Sequence, residues 1–573
     1  MSVAKRFLSI RFFSLTIALL SLATVSTTCI AIATPTPTPV PPAPTQPPPT
    51  VMPSPTSMPG SPTATPQPQV LRFGVPADPV RLDPALSLDP VSDLVSAQLY
   101  DTLVHFAPGT TRIEPALATE WSVSLDGLTW EFVLRKGVAF HDGTPLTAQA
   151  VVWNFQRWMD PNHPAHNGDF RYWQGMFGGF VGEENSDDLS SNLVASVTAP
   201  DDHTLRIVLN KPFAPLLHNL AMNAFAILNP DIVMSRGPDA YGTATGPRAT
   251  GTGPFRLVSW EDGQVTLVAN PDYWAGPPAL SRLIFQTIPD DSARFSALQA
   301  GEIDGMISPA VDDLARADQD PRLQVVMDPR PTTAFLNFNL DGEYLGKREV
   351  RQAIAHAINK TALVRDAFGP TWQVATQMLP PAIWGYNENI EDYPYDPGRA
   401  RELLAAAGVP EQLEIDLWYP DRPRPYLPNP RAAAEAIAAD LEAVGMSVTL
   451  QTEHWSAYLA DRSNGAFSMW LLGWTGYNGD PDSFFFYHFG LPTPREGNYV
   501  NRDLRDLLLR GQVIVDPEMR EEIYQEAAAM IHKDVPRLFL AHPQEPVLLS
   551  SQVEGFTPNP AGPEAFVNVS LQK

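Results

Sequence analysis

The hydrophobic positions along the chain predict short strands and helices in alternation from Val70 onward. An alternating pattern predicts strands at Val70–Val75 and at 130–134. A helical pattern then follows Thr147, and threonine is favoured at the N-cap, the position at which a helix begins. This pattern places three apolar side chains on one face, Val151, Phe155 and Trp158.

Further along the chain, predicted helices end at glycine and lead into apolar strands. Helices are predicted at 292–300, 348–359, 397–407 and 431–444, and strands at 447–451 and 467–472. Gly301, Gly408 and Gly445 directly follow three of these helices. Because helix–glycine–strand units of this kind build mixed sheets covered by helices, we expect an α/β fold.

The first 33 residues predict an export signal. Three basic residues and no acid precede an apolar run at 12–25, which is short for a membrane span. Cys29 follows Ser-Thr-Thr in a context that resembles a lipidation site, and we favour lipidation at Cys29. Ordinary cleavage after Ala31-Ile32-Ala33 and an uncleaved anchor are the alternatives, and each of the three places the body outside the cytoplasm.

Residues 34–69 predict an extended tether. Fifteen of these 36 residues are proline, and none is charged or aromatic. Such a segment cannot bury a core, and proline restricts its backbone, so we expect a disordered, semi-rigid spacer between the membrane and the folded body.

The charge of the remaining body excludes several classes of protein. The chain of 573 residues has a net charge of −25, and the part after residue 69 carries 36 basic and 64 acidic residues. This balance argues against a nucleic-acid partner, because phosphate contacts need a basic surface. A single cysteine also excludes an intrachain disulfide framework and a cysteine-based metal site.

No motif in the body predicts catalysis. Nucleotide-binding, serine-hydrolase and zinc-protease signatures are absent from the sequence, so we expect a binding protein without cofactor or metal. An exported hydrolase and a structural or chaperone-like surface protein are the alternatives. Turnover of a chromogenic substrate would reveal the first, and the absence of a saturable small ligand would reveal the second.

An ordered series of motifs resembles family 5, the peptide-binding family of bacterial ABC-transporter solute-binding proteins, close to its dipeptide branch. The resemblance extends from Val70 to the C-terminus. Its motifs are EPALATEW (114–121), WEFVLRKGVAFHDGTP (130–145), GTGPFR (251–256), NPDYW (270–274), AGEID (300–304), NFN (337–339), VRQAI (350–354), GWTG (473–476) and DPD (480–482).

The resemblance implies a two-lobed clamp of the periplasmic-binding-protein type, type II, in the class with an extra subdomain. Lobe I would comprise residues 70–331 with the extra subdomain, lobe II residues 332–539, and residues 540–573 would return to lobe I. Hinge crossings are expected near 327–333 and 537–542. The implied role is a monomer that delivers its ligand to ABC permease subunits with a cytoplasmic ATPase.

The resemblance also implies ligand-binding residues. In the segment DRPRPYLPNPR (421–431), Arg424 matches the arginine that receives a peptide's terminal carboxylate. Trp455 matches a tryptophan of the pocket wall, and Trp474 is expected to stack on the ligand.

Tyr477 departs from the family pattern. The dipeptide branch has an aspartate at this place, which binds the peptide's ammonium group, and a phenol cannot neutralise that charge. Either Asp480 or Asp482 replaces the missing charge, or the ligand has no free amine. The first alternative keeps di- or tripeptides as the leading substrate, and the second allows an opine, a sugar or a metal chelate.

Overall fold

The computed structural model describes residues 68–182, 192–246, 249–491 and 497–572. The predicted signal segment with Cys29, and the predicted tether up to residue 67, lie outside the described residues. No helix within the described ranges combines the length and apolarity that crossing a membrane requires.

The first part of the body contains one strand of a large sheet and a separate subdomain. Its elements are β1 (Val70–Val75), α1 (Pro90–Ser96), β2 (Val104–Phe106), β3 (Ile113–Pro115), β4 (Ala118–Val123), β5 (Thr129–Leu134), α2 (Ala148–Met159), α3 (Arg171–Phe177), β6 (Val194–Asp201), β7 (Thr204–Leu209), α4 (Leu216–Ala221) and α5 (Pro230–Arg236). Strands β4 to β7 form an antiparallel sheet in the order β4-β5-β7-β6. Helix α2 buries Val151, Phe155 and Trp158 in the core of this subdomain, as the spacing of these side chains predicts.

The next segment completes the sheet of lobe I. Its elements are β8 (Phe255–Glu261), β9 (Gln264–Ala269), β10 (Arg282–Thr287), α6 (Asp291–Ala300), β11 (Gly305–Ile307), α7 (Val311–Asp318) and β12 (Leu323–Pro329). Strand β1 lies between β10 and β11 and is parallel to both. Phe73, Phe285 and Phe566 meet edge to face beneath this sheet, so the C-terminal segment is part of the core of lobe I.

The segment from Thr332 to Asp534 lies within the predicted lobe II. Its elements are β13 (Thr332–Phe338), α8 (Arg348–Ala357), α9 (Lys360–Leu363), β14 (Trp372–Val374), α10 (Pro397–Ala406), β15 (Leu413–Pro420), α11 (Pro430–Glu442), β16 (Met446–Glu453), α12 (Trp455–Ser463), β17 (Met469–Thr475), α13 (Asp482–Phe485), α14 (Arg502–Val513) and α15 (Pro517–Asp534). Strand β15 is parallel to both β16 and β17, while β17 is antiparallel to β13. Helices cover this sheet with two clusters of buried side chains.

The last strands return the chain from lobe II to lobe I. They are β18 (Arg537–Ser550), β19 (Val553–Glu554) and β20 (Ser570–Leu571). The first half of β18 pairs with β13 and β14, and its second half pairs with β11 and β12. The change of partner falls at Pro543 and Gln544, beside the passage from β12 to β13. The first predicted crossing, at 327–333, includes that passage, and the second, at 537–542, ends just before the change of partner; the domain boundaries themselves stay predictions.

The predicted α/β fold is confirmed, and most predicted elements lie within a residue or two of the observed ones. Gly301 follows α6 in the left-handed conformation, with a φ of 74°, that favours glycine at a helix end. The prediction of one helix over 348–359 is wrong at its end, because α8 ends at Ala357. Ile358 is extended, and the side chain of Asn359 instead caps α9 by accepting from the amide of Ala362.

A buried ion pair connects the extra subdomain to lobe I and yields a test of stability. Arg157 on α2 donates from Nη1 and Nη2 to Asp83 at 3.3 and 2.5 Å, and both side chains are fully buried. We expect Arg157→Met to reduce the free energy of unfolding by about 3–5 kcal/mol, because it leaves an uncompensated buried carboxylate. Urea unfolding would measure the loss.

The exposed pair of Arg206 and Glu131 provides the matched control. Arg206→Met should cost less than about 1 kcal/mol, since water screens an exposed pair. Similar losses in the two variants would contradict the assignment of Arg157 as a structural link.

Candidate functional site

The predicted ligand-binding residues follow the ends of the parallel strands in lobe II. Strands β15, β16 and β17 run in the same direction, so their carboxyl ends lie along one edge of the sheet. The loop with Arg424 follows β15, helix α12 begins after β16 at Trp455, and Tyr477 follows β17. Ligand sites of open α/β sheets are commonly found at such an edge.

Arg424 is held in a tight loop with part of its charged group unsatisfied. Its backbone exchanges hydrogen bonds of 3.0 and 2.9 Å with Leu427. The central carbon of its guanidinium lies 3.4 Å from the centre of the Trp455 ring. Its Nε and Nη2 atoms are shielded from solvent and have no hydrogen-bond partner among the described residues. Because unsatisfied buried donors are costly, this group is suited to receive a carboxylate.

Aromatic side chains form the wall beside this loop. Trp474 stacks on Tyr487 with ring centres 4.5 Å apart, and its Nε1 donates to the carbonyl of Ser483 at 2.8 Å. Tyr426, two residues after Arg424, packs directly on the backbone of Gly473, where a Cβ would lie 2.2 Å from its ring. Glycine at 473 therefore permits the close approach of the arginine loop to β17.

Tyr477 faces a cavity of about 560 Å³ near the strand crossings. The opposite wall of this cavity consists of residues from α1, from the strand end at Ile307 and from the C-terminal segment around Glu564. The side chain of Tyr477 is 53% exposed, and its ring meets that of Trp474 edge to face at 6.1 Å. Arg424 and Trp455 do not line the cavity, so the structure places Tyr477 in it and those two residues outside it.

Asp480 is fully buried and pairs with two basic side chains. It accepts hydrogen bonds of 2.9 and 2.8 Å from Nη1 and Nη2 of Arg520 on α15. His218, on α4 of the extra subdomain, places its Nδ1 2.9 Å from the same carboxylate. An ammonium group could reach Asp480 only by displacing one of these partners.

Asp482 is also buried, within the same network. It accepts a hydrogen bond of 3.0 Å from Gln512 and one of 3.4 Å from the hydroxyl of Tyr524. Neither Asp480 nor Asp482 lines the cavity that Tyr477 faces. Their assignment to the ligand's amine stays a prediction, which these contacts do not favour.

The two aspartates differ in their protonation. Burial alone raises the pKa of Asp480, but the attraction of Arg520 and His218 outweighs burial and holds this pKa well below its usual range. Burial and the neighbouring charge of Asp480 raise the pKa of Asp482 to about 7. Asp480 is therefore a permanent anion, whereas Asp482 titrates near neutral pH.

Sequence reasoning missed Arg520 and His218. Both lie on helices whose patterns do not distinguish a buried basic residue from one that faces solvent. Their partner Asp480 is far away in the chain, so the sequence contains no local signal for this network. Within the described residues, no group of three or more potential ligands is placed to hold a metal ion.

The two lobes are joined at paired strand crossings, and a cavity lies at these crossings. Arg424 provides an unsatisfied cation on the edge of one lobe. These features are those of a clamp-type solute-binding protein. The model of bacterial extracellular solute-binding proteins, family 5 (Middle), matches residues 112–493. The chain belongs to this family, as its motifs predict.

The chain is similar to curated and solved proteins over most of its length. It is 35% identical over 507 residues to heme-binding protein A of Haemophilus influenzae, covering 86% of this chain and 90% of that protein. It is 35% identical over 501 residues to the dipeptide-binding protein of Escherichia coli, covering 84% and 90%. The ABC transporter-associated periplasmic binding protein DppA from Helicobacter pylori, in complex with the peptide STSA, matches with a TM-score of 0.61, 33% identity and coverage of 88% and 98%.

The opposite protonation of Asp480 and Asp482 predicts opposite effects of their asparagine variants. Asp480→Asn should reduce the free energy of unfolding by about 3–5 kcal/mol at both pH 4.5 and pH 7, because Asp480 is ionised at both and Arg520 loses its partner. Urea unfolding at the two pH values measures this loss.

Asp482→Asn is the matched variant. The unfolded chain releases the proton of Asp482 near its ordinary pKa of 3.8, whereas the folded chain holds it to about 7. The native protein therefore loses stability through this group as the pH rises between these values, and the variant does not. We expect Asp482→Asn to gain stability relative to the native protein on going from pH 4.5 to pH 7. A large loss in Asp482→Asn at pH 7 would contradict this assignment.

Proposed function

We propose that this protein is the extracytoplasmic binding component of an ABC importer and that it captures short peptides of two or three residues. The lobes close on the peptide, and the protein then delivers it, chemically unchanged, to membrane permease subunits driven by a cytoplasmic ATPase. Closure is favoured when the ligand contacts both lobes, because only those contacts distinguish the closed state from the open one.

The unsatisfied guanidinium of Arg424 is the observation that carries this proposal. Its Nε and Nη2 are buried without a hydrogen-bond partner among the described residues, and Trp455 holds the group in place from one face. A carboxylate is the ligand that its planar, paired donors fit. Every free peptide has such a group at its C-terminus, with a side chain and backbone that Trp474 could contact.

The relatives support a peptide as the ligand. The dipeptide-binding protein of Escherichia coli and the peptide complex of the Helicobacter pylori protein both match along most of this chain. Lobe closure around a peptide would also use Tyr477, which faces the cavity at the strand crossings.

A solute without a free amine is the second candidate. Tyr477 does not supply the negative charge that an ammonium group needs, and Asp480 is already paired with Arg520 and His218. An opine, a sugar or a metal chelate would satisfy this arrangement, and one relative is named a heme-binding protein.

The N-terminal segment supports a location at the outer face of the cytoplasmic membrane. Cys29 would carry the lipid, and the proline-rich residues 34–69 would hold the monomeric body away from the bilayer. The three-base start and the apolar run at 12–25 are the basis of this part of the proposal.

Replacement of Arg424 tests the assignment of the carboxylate receptor. We expect Arg424→Ala to weaken binding of a di- or tripeptide by about 10- to 100-fold, since a hydrogen bond to a charged group contributes about 1.5–3 kcal/mol. Isothermal titration calorimetry on the purified body, with peptides identified from the co-purified ligand by native mass spectrometry, measures the change.

Arg422 is the matched control for this experiment. It lies on the same loop, is exposed, and pairs with Asp421. Arg422→Ala should bind as the native protein does. Unchanged affinity in Arg424→Ala, or an equal loss in both variants, would show that Arg424 is not the receptor.

The proposed anchor predicts the behaviour of a Cys29→Ser variant. In cells that express the full chain, the native protein should sediment with membranes, because an acyl-bearing N-terminus partitions into lipid. The variant should move to the soluble extracytoplasmic fraction or keep its uncleaved signal. A native protein that is soluble and begins after Ala33 would instead establish ordinary cleavage.

A further inference from the structure

Three carboxylates surround one arginine at the strand crossings. Arg330, in the link between β12 and β13, donates from Nε to Glu545 at 2.8 Å. Its Nη2 lies 2.9 Å from Asp328 and 3.6 Å from Glu564. We call these four residues, Asp328, Arg330, Glu545 and Glu564, the hinge acid cluster. With every carboxylate ionised, the cluster has a net charge of −2.

Two of these carboxylates are buried beside Arg330. Asp328 is 0% exposed and Glu564 is 2% exposed. Their carboxyl groups hydrogen-bond to each other, and the amide of Asn559 donates to Oε2 of Glu564 at 3.0 Å. One arginine cannot compensate three carboxylates, and buried charge without a partner is costly.

The cluster faces the same cavity as Tyr477. Arg330, Glu545 and Glu564 line it, together with Asp89 and Asp93 on the side of α1. The charged lining therefore comprises four acids and one base. A ligand that enters this end of the cavity meets a surface that favours positive charge.

The pKa values of the carboxyl groups around the cavity are consistent with a cationic ligand. Burial raises the pKa of Asp328 to about 9 and also raises that of Glu564, although the charge of Arg330 opposes both shifts. Burial also raises the pKa of Asp93 to about 6. The hydrogen-bonded pair of Asp328 and Glu564 therefore holds a proton at neutral pH, and an arriving cation can replace it.

We propose that the hinge acid cluster is the subsite for the cationic group of the ligand, with Glu564 as the contacting carboxylate and Asp328 and Glu545 supporting its charge. This inference rests on the proposed function, and it narrows the ligand to peptides with a free N-terminal ammonium. It also places the negative charge for the ammonium group, which Tyr477 does not supply, in lobe I and the hinge. Asp480 and Asp482 then have no role in binding the amine.

Competition between free and blocked peptides tests the subsite. The purified body is mixed with equal amounts of a synthetic tripeptide library with free N-termini and the same library N-acetylated, and native mass spectrometry records which peptides remain bound. The native protein should prefer free N-termini by at least about tenfold, because only these have the ammonium group.

Glu564→Gln should reduce this preference by about tenfold or more. The variant should still bind the acetylated peptides, and this binding would show that it is folded. Glu545→Gln is the second variant, since its side chain is 64% exposed and tolerates replacement, and it should reduce the preference by about threefold. Glu261→Gln removes an equal charge from an exposed position on β8 that does not line the cavity, and it should change nothing.

Proton release gives an independent readout. Calorimetry of free-amine peptides at pH 7, in buffers of different ionisation enthalpy, should show proton release from the native protein and less release from Glu564→Gln. If both cluster variants keep the native preference for free N-termini and the native proton release, the proposed subsite is wrong. The proposal that the protein binds peptides would not be affected by that result. Failure of both libraries to bind the native protein would overturn the proposed function, and this inference with it.

Discussion

Strand β18 is hydrogen-bonded to both lobes, and this single pairing constrains how the molecule can move. Its first half belongs to the sheet of lobe II and its second half to that of lobe I. The other connection, from β12 to β13, runs beside it, and the amide of Arg330 donates to the carbonyl of Pro543 at 3.2 Å. Two adjacent crossings allow one lobe to rotate against the other but resist sliding. Closure therefore has to be absorbed near Arg330 and Pro543, where the charges of the hinge acid cluster also lie.

The distribution of charge around the cleft follows from the same arrangement. Arg424 presents unsatisfied donors on the edge of lobe II, whereas the carboxylates that line the cavity come from lobe I and the hinge. A ligand with an anion at one end and a cation at the other would therefore contact both lobes. Such a ligand stabilises the closed state more than the open state, which is the condition that ligand-driven closure must meet. The network of Asp480, Arg520 and His218 is separate, since the charges of Asp480 and Arg520 compensate each other within the protein.

Local patterns in the sequence predicted most of the elements, because apolar spacing, helix caps and terminal glycines act over a few residues. Thr147 caps α2 as expected, and Gly301 ends α6. Pairings between distant segments were not predictable in this way. Arg520 reads as an ordinary helical arginine, and Glu564 lies in a C-terminal stretch without a motif. Their roles depend on partners brought close only by the fold, and a resemblance to a family indicates such partners only where the family's motif is retained.

Tyr477 shows why a single substitution in a motif does not fix the ligand. With an exposed phenol at this position, residue 477 itself offers no negative charge to an ammonium group, although Arg424 still offers a positive one to a carboxylate. Two acids, Glu564 and Glu545, line the same cavity as Tyr477. If the carboxylate that binds the amine lies at the hinge and not at the lobe edge, the amine contacts the strand crossings directly. These crossings are the segments that bend when the lobes close. In that arrangement the same carboxylates both select the ligand and bias the clamp toward closure.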